Sequence, residues 1–455
     1  MEKMYTKLTG SILLLALILV GFNSNAQTST ATTSTTFANA DVKSDKKSEP
    51  ATEVKSAAKP ADADTTWKPV RRLWGYGFGD FYYNAHADAT NRGPETMYNG
   101  VPTYRNAFQF RRLYLGYDYD ITKNFTAEVL LASEPNSNTG VNGTTSIQNG
   151  DNLVDNKMAF FIKNFNLRYR NLWNGTDFVI GEMSTPGFAL NEPGTNAPTS
   201  LSEKTWGYRS IEKTVTDFHK TNSYDVGAAL QGTFDPKTKN FGYVLMVGNN
   251  STSSLLGATN PNTGFYKIFY EDVWAKFFNS HLLVDIYADQ VRTAPATATI
   301  GGQSHGIWKA FVAYTSQKVS VGVEAYTQKI KNGVENTISK APEDATVNGI
   351  SIWVKGAIVK DKLGFFARYD GYNPDTDFNN ADSYTNNTNF GSYNPTVKET
   401  FYTAGLDFTP TKNVHFMPNL WVVNYKDQRD PATTGYVGND HTMVYRLTFF
   451  YTFGK

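Results

Sequence analysis

The chain has 455 residues, 43 basic against 42 acidic side chains and a net charge of +1, so no global field argues for nucleic acid as a partner. It has no cysteine, which excludes disulfides and thiolate metal sites. The mean hydropathy is negative and no long apolar run follows Val20, which excludes a helical membrane protein.

At the front, Lys3 and Lys7 precede the apolar run Ile12 to Val20 and the small-residue site Ser24-Asn25-Ala26. This is the pattern of a cleaved secretory signal over 1–26, with the mature chain starting at Gln27. Residues 27–66 are rich in Thr, Ser, Ala, Lys, Asp and Pro, with Phe37 as their one aromatic residue. Such a stretch cannot bury enough apolar surface to offset its ordering entropy, so it reads as a disordered periplasmic arm.

From Trp67 onward the pattern predicts sixteen strands: 71–85, 105–119, 124–133, 157–170, 176–184, 222–234, 240–249, 264–278, 281–291, 305–316, 318–330, 347–360, 362–371, 397–409, 412–425 and 441–453. Their connections alternate. Short ones hold Thr122-Lys123, Asn174-Gly175, Asp235-Pro236-Lys237, Asn279-Ser280, Asp361 and Thr409-Pro410-Thr411. Long ones span 86–104, 134–156, 185–221, 250–263, 292–304, 331–346, 372–396 and 426–440. That sorting, with an even strand count, fits an all-β fold: a transmembrane antiparallel β-barrel over 67–455, set in an outer membrane and contacting its lipid. Closure is required, since an open edge in lipid leaves backbone groups unpaired. The 27 Tyr and 30 Phe suit interfacial girdles.

Side chains alternate with period two, which assigns the faces. Outward go Val319, Val321, Val323 and Ala325; Ile350, Ile352, Val354 and Ile358; Leu282, Val284, Ile286 and Ala288; Phe161, Phe165, Leu167 and Tyr169; and Phe365, Ala367 and Tyr369. Inward go Ser320, Gly322, Glu324, Tyr326 and Gln328; Trp353 and Lys355; Asp285, Tyr287 and Asp289; Asn164, Asn166, Arg168 and Arg170; and Arg368 and Asp370. The last strand sets Tyr445, Leu447, Phe449, Tyr451 and Phe453 against Val444, Arg446, Thr448, Phe450 and Thr452. So many inward charges of both signs imply a water-filled lumen, because buried unpaired charge is costly. Lys163 shares the apolar face of Phe161 and Phe165. Either a β-bulge shifts the register there or that wall lies against another subunit.

A lumen of this width passes small hydrophilic solutes or ions unless something narrows it. The longest connection, 185–221, holds Leu201-Ser202-Glu203-Lys204-Thr205-Trp206 and Tyr208-Arg209-Ser210-Ile211-Glu212-Lys213, with helix-like spacing in its C-terminal half. It is expected to fold inward and form a constriction whose field is set by Lys204, Arg209, Lys213, Glu203 and Glu212. The wall adds Arg168, Arg170, Glu182, Asp285, Asp289, Glu324, Lys355, Arg368 and Arg446.

Catalytic motifs such as H-E-x-x-H, G-x-S-x-G and the phosphate loop do not occur, and neither an enzyme nor a cofactor is expected. Gly75-x-Gly77-x-Gly79 lacks the third spacing of a dinucleotide loop and reads as making room in a strand. The six histidines are scattered along the chain and read as packing or surface residues. Asp375-x-Asp377 with Asp382 lacks the Gly and terminal Glu of a calcium loop, so no metal is assigned. An adhesive or anchoring barrel and a soluble glycan-binding β-protein are the alternatives.

Four segments carry a family resemblance: Phe110-Arg111-Arg112-Leu113-Tyr114-Leu115-Gly116; Phe165 to Arg170 with Phe178 to Phe188; Asp225 to Gly232; and Phe366 to Asp370. In this order they resemble the phosphate-selective porins O and P. The resemblance implies sixteen strands per subunit, a homotrimer, and passive diffusion of small solutes, anions in the best-known members. The chain departs from the family in having Ser184 where a lysine often precedes the proline, and in lacking a dense lysine cluster.

Overall fold

The structure is a computed structural model. It describes residues 67–90, 101–133, 153–154, 157–158, 160–187, 201–207, 210–211, 215–216, 223–250, 267–294, 302–383 and 396–454, with the backbone alone at 153–154, 157–158, 202–204 and 294. The signal segment and the arm lie outside these residues.

Seventeen strands form one sheet, and one of them is the two-residue Asp382–Ser383. The other sixteen are the barrel staves. They are β1 (Arg71–His86), β2 (Asn106–Asp120), β3 (Phe125–Ser133), β4 (Phe161–Trp173), β5 (Thr176–Ser184), β6 (Tyr224–Thr233), β7 (Phe241–Gly248) and β8 (Ile268–Phe277), then β9 (Leu282–Ala294), β10 (Gln303–Thr315), β11 (Val319–Asn336), β12 (Pro342–Val359), β13 (Leu363–Asn373), β14 (Val397–Thr411), β15 (Val414–Asp427) and β16 (Asn439–Phe453). Each pairs antiparallel with its sequence neighbours, and β1 also pairs with β16. The sheet is therefore a closed sixteen-stranded barrel with no free edge.

The closure seam explains the glycine stripe. Gly75, Gly77 and Gly79 lie opposite Phe453, Tyr451 and Phe449. The missing side chains leave the space those rings occupy, and the pairing covers weak positions of β1 with large apolar surface.

Eight strand pairings carry a register shift, and three of these bear on the site and the seam. In β2, Phe78 pairs with Arg112 and Gly79 with Phe110, so Arg111 is the extra residue. In β4, Leu130 pairs with Asn164 and Leu131 with Ile162, so Lys163 is extra. In β1, Asn84 pairs with Val444 and His86 with Met443, so Ala85 is extra. A bulge re-aims the side chains beside it. Lys163 accordingly turns inward, where Nζ donates to Tyr114 Oη at 2.5 Å and sits 4.9 Å from the Tyr114 and Tyr224 ring centres. Phe161, expected outside, packs against the inner cluster, and Ile162 is exposed instead.

Along most other staves the expected faces hold. Along β11, Val319, Val321, Val323 and Ala325 are exposed while Ser320, Gly322, Glu324, Tyr326 and Gln328 are buried. Exposed aromatic residues gather at the two ends of the staves. Trp173, Phe234, Phe241, Phe278, Tyr314 and Phe408 mark the short-turn end, and Phe108, Phe269, Trp308 and Tyr445 the long-loop end. Between them the exposed positions are largely aliphatic, such as Val273, Ile286, Val312, Val323 and Ile352.

One connection differs from expectation. The stretch 331–346 is mostly strand, because β11 and β12 run 18 residues each and leave only 337–341 as a turn. This tall hairpin is buttressed. Glu335 and Asn336 pair with Ser383 and Asp382, Thr337 N donates to Ala381 O at 2.8 Å, and Asp430 N donates to Asn380 Oδ1 at 3.1 Å.

Candidate functional site

The inner wall is the candidate site, and the described residues of 201–216 lie against it. Helix α1 (Leu201–Trp206) starts where Leu201 N donates to Asp285 Oδ2 at 2.9 Å. Lys355 Nζ donates to Trp206 O at 3.1 Å. The Trp206 ring packs on Trp353 and edge-on to Phe366, with centroids 5.7 and 6.1 Å apart. Farther along, Thr216 Oγ1 donates to Glu324 Oε1 at 2.7 Å.

The tightest anchor is Ser210. Its φ is +67°, a left-handed conformation that side chains other than glycine rarely adopt. That backbone turn aims the Ser210 carbonyl at the wall, where it accepts from Arg111 Nη1 at 2.9 Å and from Arg446 Nη2. Asp80 lies behind both guanidiniums, 3.4 Å from Arg111 and 3.8 Å from Arg446. Its carboxylate also accepts from Thr448 Oγ1 at 2.5 Å. Arg446 stacks over Trp421 and Arg111 over Phe78, at 4.5 and 4.7 Å. Charge-assisted bonds of this kind, shielded from water, hold strongly.

The buried arginines gather on one side of the wall, with acids among them, and the other side is mainly acidic. Asp225 on β6, Asp272 on β8, Asp285 and Asp289 on β9 and Glu324 on β11 make an acidic arc, with Lys309 of β10 within it. Lys309 Nζ lies 3.8 Å from Glu324 and donates to Gly187 O at 3.0 Å. The cations Arg111, Arg112, Lys163, Arg168, Arg368 and Arg446 come from β2, β4, β13 and β16. They have acidic neighbours: Arg168 meets Glu128 at 2.9 Å, and Arg368 meets Asp370 at 2.5 Å.

Of the residues expected here, Arg168, Asp285, Asp289, Glu324, Arg368 and Arg446 are buried on the inner wall, and Lys355 reaches the segment there. Arg170 pairs with Asp120 at 2.9 Å near the short-turn end. Glu182 is different. It pairs with Phe165 and lies two residues from the exposed Ile180, so alternation places it on the outer face. The side chains of Glu203 and Lys204, and Arg209, Glu212 and Lys213 altogether, lie outside the described residues.

Sequence reasoning missed three things. It read Asp285, Glu324, Lys355 and Arg446 as facing solute, whereas they grip the segment's backbone. It read the lining as polar, whereas Trp74, Tyr76, Phe78, Trp353, Phe366 and Trp421 form an inner apolar cluster. It also missed Arg111. Two adjacent arginines in one strand were the available signal, since both can turn inward only at a bulge.

The interior is not filled throughout. A cavity of about 650 Å³ opens at the short-turn end, lined by Ser320, Lys355, Asp407 and His415 with turn residues Lys318 and Lys412. Asp375 and Asp382 hold no ion-like arrangement: their carboxylates accept from backbone amides of Asp377 at 3.1 Å and Asn379 at 2.7 Å. The described metal-spaced group lies at the long-loop end instead, where His86, Asp440 and His441 converge.

With this geometry the fold can be compared with known proteins. The outer membrane channel DcaP of Acinetobacter baumannii superposes with a TM-score of 0.53 at 10% identity, covering 85% of this chain and 97% of that one. The in-vitro folded OmpT, an outer membrane protein of Vibrio cholerae, gives 0.50 at 11% identity, covering 86% of this chain and 100% of that one. This chain shares their barrel fold. No family model matches it, nor does any curated protein sequence.

Proposed function

We propose that the protein is an outer-membrane porin, a non-catalytic channel for passive diffusion of small hydrophilic solutes or ions, narrowed by the segment 185–221. The observation that carries this reading is that the segment's backbone is fixed to charged groups of the inner wall at Leu201, Ser210 and Thr216. A narrowing element held at both flanks and the middle leaves a passage of defined width. The aliphatic outer belt between two aromatic zones suits a bilayer with interfaces at those heights. The cavity at the short-turn end supplies a vestibule.

The resemblance to the phosphate-selective porins brings a trimer with it, and chemical cross-linking in native membranes reads the assembly. Phosphate selectivity is not part of the proposal. Anion selection of that kind needs several convergent cationic donors, whereas Arg111, Arg168, Arg368 and Arg446 here face Asp80, Glu128, Asp370 and a carbonyl. Liposome swelling with solutes of graded size, together with reversal potentials in planar bilayers, tests the reading. Swelling with small sugars and weak ion selectivity are expected. Absence of swelling removes the channel, and a strong anion preference with micromolar phosphate block removes the weak selectivity.

A further inference from the structure

We propose that His86, Asp440 and His441 form a binding site for a divalent transition-metal ion at the long-loop end of the closure seam. His86 ends β1, and the other two residues open β16. They are separated by more than 350 positions in the chain, and the barrel's closure brings them together.

The donor atoms already lie close together. His86 Nε2 and His441 Nδ1 each lie 3.7 Å from Asp440 Oδ1. Bonds of about 2.0–2.1 Å at the tetrahedral angle place donors roughly 3.4 Å apart. The distances need only a small contraction, and the His441 ring makes it by rotating out of the stack; the side chains of His86, Asp440 and His441 are 42%, 24% and 40% exposed. The imidazoles lie parallel, 4.0 Å between centroids and 7° between planes. One ring is fixed as a metal ligand requires: His86 Nδ1 donates to His441 O at 2.8 Å, which leaves Nε2 with its lone pair. A ligating histidine ordinarily has its other nitrogen held in this way. Asp440 is fixed as well, its two oxygens accepting from the amides of Ala89 at 2.9 Å and His441 at 2.8 Å.

Two imidazoles and one carboxylate select zinc, copper, nickel or cobalt over calcium or magnesium, which take oxygen ligands. Three protein ligands leave further positions for water. The bulge at Ala85 serves the site, because it sets the register that brings His86 across from Met443. A bound ion joins the first and last staves where the sheet closes, so it reinforces the seam.

Titration calorimetry with zinc chloride alone, on the full chain in detergent micelles, tests the site. Saturable binding of one equivalent is expected. The double variant His86→Ala/His441→Ala loses affinity by more than the roughly 10- to 100-fold that loss of an outer-shell partner costs. His281→Ala, an exposed histidine at the short-turn end, leaves binding unchanged. Copper(II) electron paramagnetic resonance of the unaltered protein needs no variant, and two nitrogen donors are expected in its spectrum. No saturable binding, equal affinity in the double variant, or a spectrum without histidine nitrogen overturns the proposal.

Discussion

Gly77 faces Tyr451 across the closure seam, and a Cβ on Gly77 would lie 2.5 Å from the phenol Cζ. The nearest atoms to that Cβ all belong to the Tyr451 ring, which can swing aside. Gly75 and Gly79 are more confined, since a Cβ there also meets backbone carbonyls, Tyr114 O at 2.4 Å and Gln109 O at 2.6 Å. Alanine at Gly75 or Gly79 is expected to cost about 1–3 kcal/mol, as overpacking does, and alanine at Gly77 less. Urea midpoints in one detergent check the order. A Gly77→Ala variant weaker than the other two contradicts the geometry.

The anchor at Ser210 makes a functional prediction. Arg446→Met keeps the side chain's bulk over Trp421 but leaves the Ser210 carbonyl with Arg111 alone, and it removes one of Asp80's cations. Breaking a buried pair in this way costs roughly 3 kcal/mol. Single-channel records of Arg446→Met are expected to show higher and noisier conductance, because the segment is held more loosely. A trace indistinguishable from the unaltered channel argues against the segment as the narrowing element.

The bulge at Lys163 makes a structural prediction that inverts the usual effect of a deletion. Removing one residue from a strand flips every later side chain to the other face. Lys163 is already surplus to the ladder, so its deletion restores continuous alternation, with Phe161 in, Ile162 out and Asn164 in. The barrel lacking Lys163 is expected to fold, and the barrel lacking Asn166 to fail. Heat-modifiable migration on gels separates the two, and failure of both variants counts against the assignment.

Much of the fold was legible because a barrel writes its two faces into alternate residues. The stave β11 is the clearest case, valines and Ala325 outside, Glu324 and Gln328 inside. The bulges were not, since one surplus residue changes facing without changing composition. Lys163 signalled its bulge only by standing among aromatics. The clamping roles of Asp285 and Arg446 were hidden for another reason. Alternation tells which way a side chain points, and the contact depends on a segment far away in sequence. Nothing local relates His86 to His441, because only ring closure makes them neighbours.

The turn between β6 and β7 carries a titration prediction. Desolvation pushes the Asp235 carboxyl up, but hydrogen bonds from Thr238 Oγ1 and the amides of Asn240 and Phe241 outweigh it, and the net shift is downward. A carboxyl lowered by folding stabilises the folded turn fully above its unfolded value of about 3.9, and the effect is lost as pH falls through the folded value. The protection factors of the Asn240 and Phe241 amides are expected to fall below that range, and Asp235→Ala to show low protection at every pH. PH-independent protection in the unaltered protein would refute the coupling.

The buttress around the β11–β12 hairpin has a practical consequence. Its tip is tied to Ala381 and Asp382, and Asn380 in turn receives the amide of Asp430. Three successive surface connections therefore behave as a single ledge. An epitope tag spliced into 379–382 will loosen its neighbours on both sides, so a reporter meant to leave the barrel undisturbed belongs in another connection.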